Sequence, residues 1–280
     1  MLMSVTTGID AVGDPTFLLK HGDEEVLITS FGAQIITWSR GGIPCIFGNG
    51  NRAIVDGKTP YRGGAPICFS FFGKGSLLPH GTTLDGQHGE ARITVWDAKV
   101  LESEKAVVLT THQASAEGYG PTVFSCELIY KLGEDFNIQA TIRNVGENES
   151  PFQFAVHTYW ATNDPSSATV KGIGNRYLDN LMGLTEQTEA DSSLPHPIPF
   201  DRVYLDSEDD SELSVEHHTI EIKTRGCFGA VLWNPGTNHT IKDLGSPDFI
   251  CLESGVISPS VSLSPGQEHV IEISYKAHPV

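Results

Sequence analysis

Proton transfer needs one group to deliver a proton and one to remove it, and two residues of this chain are placed for that work. His157 interrupts the apolar run FQFAVHTYW at 152–160, and Glu253 follows Phe249, Ile250, Cys251 and Leu252 in DFICLESG at 248–255. Desolvation raises a carboxyl pKa toward that of a useful base, while an ordinary histidine titrates near ~6.5. The expectation is an acid and a base on separate strands, with the carboxylate closing its strand. Arg62 in YRGGAPICFSFFG (61–73) and Arg92 in GQHGEAR (86–92) border glycines that let a ligand approach the backbone. Plainer readings fit the same residues: a hydrogen-bonded core histidine, a turn-capping glutamate, and surface arginines in ion pairs worth at most ~1 kcal/mol each. Taken alone, they support an acid/base site in a β-sandwich and no more.

The elements that must position these groups are strands. Phe136, Ile138, Ala140 and Ile142 alternate with Asn137, Gln139 and Thr141, which puts four apolar side chains on one face. Runs of β-branched and aromatic residues recur at 26–31, 33–39, 92–96, 106–111, 122–130, 152–160, 219–223, 228–233, 248–253 and 269–275. No segment sustains a helical stripe. With 29 Gly and 16 Pro punctuating the runs, the pattern predicts an antiparallel all-β protein and excludes Rossmann and TIM folds, whose parallel strands need crossover helices. No linker divides the chain, so residues 1–280 are expected to form one domain, a large β-sandwich of two sheets packed face to face.

Composition narrows the function. The chain has 280 residues, 39% of them hydrophobic, and 18 Lys+Arg against 35 Asp+Glu give a net charge of -17, which repels nucleic acid and anionic membranes. The five cysteines, Cys45, Cys68, Cys126, Cys227 and Cys251, form no CxxC pair and lie in or beside apolar runs, as reduced core thiols do. MLMSVTTGIDAVGD lacks the pattern of a signal peptide, and no window approaches the ~18 apolar residues of a membrane helix; a cytoplasmic monomer is expected. Dinucleotide, Walker, nucleophile-elbow and zincin motifs are absent. His217 and His218 are adjacent and so face opposite ways, and the acidic tract at 206–212 lacks the EF-hand pattern and reads as a solvated loop. The expectation is chemistry without metal or cofactor.

The order and spacing of YRGGAPICF, QHGEAR-x3-W, HTYW, DRVYLD, VLWNP, ICLESG and LSPG, from about Phe31 to the C-terminus, resembles the hexose-6-phosphate mutarotase branch of the aldose 1-epimerase family. The resemblance implies a galactose-mutarotase-like supersandwich that interconverts the α and β anomers of a hexose 6-phosphate without a cofactor. By matching positions, it implies His157 as the acid on the ring oxygen and Glu253 as the base on the anomeric hydroxyl. It also implies Arg62 and Arg92 on the phosphate, with Gln87, Asp201 and, less directly, His88 as sugar contacts. The chain departs from the family pattern at Ser70-Phe71, Glu90 and Gly236. Two competing functions remain: a mutarotase of unphosphorylated aldoses, against which the two arginines speak, and a non-catalytic carbohydrate-binding sandwich, against which the proton-transfer couple speaks.

Overall fold

The computed structural model describes residues 3–48, 61–79, 83–84, 86–116, 122–190, 198–236 and 248–280. Among them the strands form three antiparallel sheets. The first has five, in the order Met3–Ile9, Pro15–His21, Glu24–Thr29, Ile35–Arg40 and Ile43–Pro44. The second runs Thr169–Lys171, Asp210–Ser214, His218–Arg225, Glu268–Pro279, Phe136–Asn144, Val123–Leu132, Ala106–Ala114 and Asp97–Leu101. The third runs Thr185–Thr188, Arg176–Asp179, Phe200–Tyr204, Ala230–Asn234, Phe249–Leu263, Ser150–Val156 and Ile67–Ser70, with Tyr159–Ala161 paired to Phe249–Leu263 off that path. Helical structure among the described residues is confined to three-residue 3-10 turns.

Period-two patterning builds the second sheet as expected. Phe136, Ile138, Ala140 and Ile142 are all buried, and the neighbouring strand Val123–Leu132 alternates the same way. These side chains meet the inner face of the third sheet in one core, where Trp38, Trp160, Phe136 and Tyr275 touch through edge and tilted ring contacts. Each such side chain contributes roughly 1.5–3 kcal/mol by leaving water.

Three expectations need correction. The two-sheet sandwich carries a third, five-stranded sheet, because Met3–Ile9 and Pro15–His21 pair into a hairpin that closes against Glu24–Thr29. The run at 92–96 is not a strand: Ile93 N–H donates to Glu90 O (3.0 Å) and Thr94 N–H to Ala91 O (3.3 Å), so Ala91–Ile93 turns as a 3-10 helix, and the Trp96 indole seals it on Ala91 O. The acidic tract is a loop only in its first half, since Asp210–Ser214 is a strand paired with His218–Arg225. His218 opens its strand and is buried, whereas His217 lies in the preceding bend and is exposed. All five cysteines are free, four of them buried and Cys227 half-buried.

The strands Ser150–Val156 and Phe249–Leu263 approach unusually closely. A Cβ at Gly255 would collide with the Phe154 carbonyl, and the register between the two strands shifts between Phe152 and Phe154. Glycine is the residue that permits this contact. Beside it lie both candidate proton-transfer groups.

Candidate active site

His157 occupies a break between strands. Its N–H donates to Pro66 O, and Tyr159 N–H to Gly64 O, so the chain shifts pairing there from Ile67–Ser70 toward the YRGG segment. Period two before the break sends Phe152, Phe154 and Val156 into the main core and leaves Gln153, Ala155 and His157 on the other face. Glu253 follows the same rule: Ile250 and Leu252 enter the main core, while Phe249, Cys251 and Glu253 take the opposite face. Against the expectation that it closes its strand, Glu253 is an interior residue of the 15-residue Phe249–Leu263, paired with Val231. His157 Nε2 lies 3.4 Å from Glu253 Oε1.

Both groups open into a cavity of about 280 Å³ whose lining includes Arg62, Gln87, His88, Arg92, His157, Asp201 and Glu253. All seven residues singled out in the sequence are thus brought together. A larger groove of about 550 Å³ crosses the second sheet between Lys131 and Arg225 and contains none of them. Arg92 enters from the 3-10 turn that replaced the expected strand. Before it, the chain reverses sharply: a Cβ at Gly89 would strike the Phe69 carbonyl, and His88 itself adopts φ 63, in the left-handed region. His88 Nδ1 accepts from Gly73 N–H at 3.2 Å, so its ring proton sits on Nε2, which lies 3.1 Å from the side-chain amide of Gln87. Asp201 accepts from Asn180 Nδ2 at 2.7 Å.

Sequence reasoning missed Tyr159, Trp233 and Asn180, which also line the cavity. Tyr159 stacks on His157 with ring centroids 4.9 Å apart, and Trp233 meets His157 edge-on at 5.7 Å. Register brings them in, because Asp201 pairs with Trp233, Trp233 with Cys251, and Cys251 with Tyr159, one row across four strands. Only the WNP and TYW contexts hinted at them. Of the departures from the family pattern, none lines the cavity. Ser70 Oγ donates to Ala114 O, Phe71 packs against Leu78 and Leu84, Glu90 is exposed, and Gly236 N–H caps on Asn234.

Electrostatics favour the uncharged couple. Burial, then the Asp201 carboxylate, holds Glu253 well above the usual carboxylate range. Burial, with Arg92 adding to it, pushes His157 down to about 3, which corrects the expectation of an ordinary histidine. His88 is likewise held well below its usual value by burial and then by His157 and Arg92. Among the described residues, His157 Nδ1, Glu253 Oε2 and Arg92 Nε are buried polar atoms without a hydrogen-bond partner. Orphans of this kind cost ~1–3 kcal/mol each, and a polar ligand in the cavity would relieve them. The arrangement can move a proton between two neighbouring groups over a cavity that guanidiniums also line.

A protein of Cenchrus ciliaris provisionally named a glucose-6-phosphate 1-epimerase is 28% identical over 272 residues, covering 89% of this chain and 80% of that protein. An Escherichia coli K12 protein with the same provisional name is 28% identical over 254 residues, covering 86% and 83%. In fold, a Salmonella typhimurium protein provisionally called a mutarotase (YeaD) superposes with a TM-score of 0.79 at 22% identity, covering 99% of this chain and 94% of its own. The galactose 1-epimerase of Lactobacillus acidophilus NCFM superposes with a TM-score of 0.70 at 16% identity, covering 100% and 99%. The all-β architecture is therefore that of the galactose mutarotases. The sequence profile of the aldose 1-epimerases matches residues 15–276, and the chain belongs to the aldose 1-epimerase family.

Proposed function

We propose that this chain interconverts the α and β anomers of a hexose 6-phosphate, glucose 6-phosphate foremost, acting as one domain and a cytoplasmic monomer that needs neither metal nor nucleotide. The observation that carries the reading is that Arg62 and Arg92 share one cavity with the His157–Glu253 couple. Two guanidiniums suit the phosphate through charge-assisted bonds worth roughly 1.5–3 kcal/mol each, and at a Debye length of about 8 Å the distant carboxylates are largely screened. The provisional names of the relatives point the same way.

Mutarotation opens the pyranose, turns the C1–C2 bond and recloses the ring. Glu253 takes the proton of the anomeric hydroxyl and His157 protonates the ring oxygen; on closure each reverses its part. Gln87, His88 and Asp201 hold the sugar hydroxyls. Burial favours the proton on Glu253, so that proton must pass to His157 across the 3.4 Å between them before the carboxylate can act as base and the imidazolium as acid. A phosphate dianion on the two arginines offsets the Arg92 charge that opposes the imidazolium. A neutral sugar leaves that charge in place. Phosphate thus anchors the substrate and favours the productive proton arrangement.

The test is NMR exchange between the anomers of glucose 6-phosphate and of glucose, with wild type, Arg62→Ala and Arg92→Ala. Each substitution is expected to lower kcat/KM for the phosphorylated sugar roughly ten- to a hundredfold and to leave the slow rate on glucose nearly unchanged. Equal losses on both sugars would assign the arginines to pocket shape instead.

A further inference from the structure

Beside His157 and Glu253 lies a group that the sugar chemistry does not use. Cys251 lies two residues before Glu253 on the same face of Phe249–Leu263, and donor atoms of His157, Cys251 and Glu253 all lie within 4.8 Å of one another. Nitrogen, sulfur and oxygen at this spacing match the donor set of a borderline-soft divalent cation, whose ligands stand ~2.0–2.3 Å from the metal. The 3.4 Å between His157 Nε2 and Glu253 Oε1 already approaches the separation of two ligands on one tetrahedral ion. A second observation shows that the same two buried side chains have polar atoms to spare: Glu253 is 1% exposed and His157 8%, and the other carboxylate oxygen, Oε2, and the other ring nitrogen, Nδ1, lack partners among the described residues. The cavity supplies the entry path, since His157 and Glu253 both line it.

The geometry points to a Zn²⁺-class metal site made by His157, Cys251 and Glu253, which closes the sugar pocket reversibly by occupying both proton-transfer groups. Binding is balanced without a redox partner. The imidazole gives a lone pair, the Cys251 thiol and the Glu253 carboxyl lose their protons to water, and a water or chloride fills the fourth position toward the cavity. The two anionic ligands neutralise the dication, and the carboxylate of Asp201 lines the same cavity as the guanidiniums of Arg62 and Arg92. The ion is an inhibitor here and takes no part in the proposed turnover.

Co²⁺ reports such a site directly. Added to the full chain at one equivalent, it is expected to give a near-ultraviolet thiolate-to-metal charge-transfer band with tetrahedral visible bands, both displaced by Zn²⁺ and both lost in Cys251→Ala. Zn²⁺ is expected to slow anomer exchange by the wild type, reversibly with EDTA, and Cys251→Ala to need at least about tenfold more Zn²⁺ for the same inhibition. Cys251→Ser serves the same comparison should the alanine variant not fold. Wild-type protein without the band overturns the proposal. So does a band of equal strength in the variant, which would locate the ion elsewhere, for example at the Cys45–His218 contact of 3.8 Å. The spectrum needs no sugar, so a chain that lacks mutarotase activity yet shows the band would refute the proposed function and leave the metal site standing.

Discussion

Glu253 and His157 are both held uncharged, and their pKa shifts have opposite consequences for stability. The folded-state pKa of Glu253 is raised, so its contribution is fully present below about 4.5 and is lost as pH rises through the folded value. That of His157 is lowered to about 3, so its contribution is present above about 6.5 and is lost as pH falls toward 3. Glu253→Gln keeps the shape and removes the titration. It is expected to lower kcat by ~10² or more, while its melting temperature gains on the wild type as pH rises, in parallel activity and calorimetry runs. His157→Asn is expected to lower kcat similarly and to flatten the acid side of the stability curve. A folded variant of either residue with wild-type turnover would remove it from the reaction.

At the scale of elements, the turn after Arg176–Asp179 overhangs the cavity and fixes Asp201. Asp179 caps that turn by accepting from Leu181 and Met182 N–H, Gly183 ends it at φ 70, and Asn180 reaches down to Asp201. Asn180 is exposed, so Asn180→Ala is expected to leave the fold intact and to raise KM roughly three- to tenfold with kcat little changed, by the loss of one hydrogen bond to a charged group. Unchanged KM would separate this turn from sugar binding. The sequence revealed Asp201 and not its partner, because Asn180 meets it only through pairing of Arg176–Asp179 with Phe200–Tyr204. The same holds for Tyr159 and Trp233, which join the site by register across strands far apart in the chain. Strands with one buried face, such as Phe136–Asn144, were legible from alternation. Polar edge strands such as Thr185–Thr188, mostly exposed, carry no such pattern, and RITVW had strand composition but was turned by local hydrogen bonds.

For the whole molecule, the thiols described above amount to a set of chemical clocks. Cys126 belongs to the second sheet, Cys68 and Cys251 to the third, and Cys45 follows directly on the last strand of the first. Burial pushes each of their thiols up, Cys45 to about 12, so without a metal ion to take the thiolate none is a competent nucleophile until its surroundings open. A thiol reagent applied in graded denaturant therefore reads when each layer parts from the others. Since Phe249–Leu263 bonds to strands on both sides and carries a catalytic candidate, Cys251 is expected to be labelled only with global unfolding, together with Cys126, in peptide mass spectrometry of quenched samples. Earlier labelling of Cys251 would mean that the proton-transfer wall opens on its own while the rest of the sandwich holds.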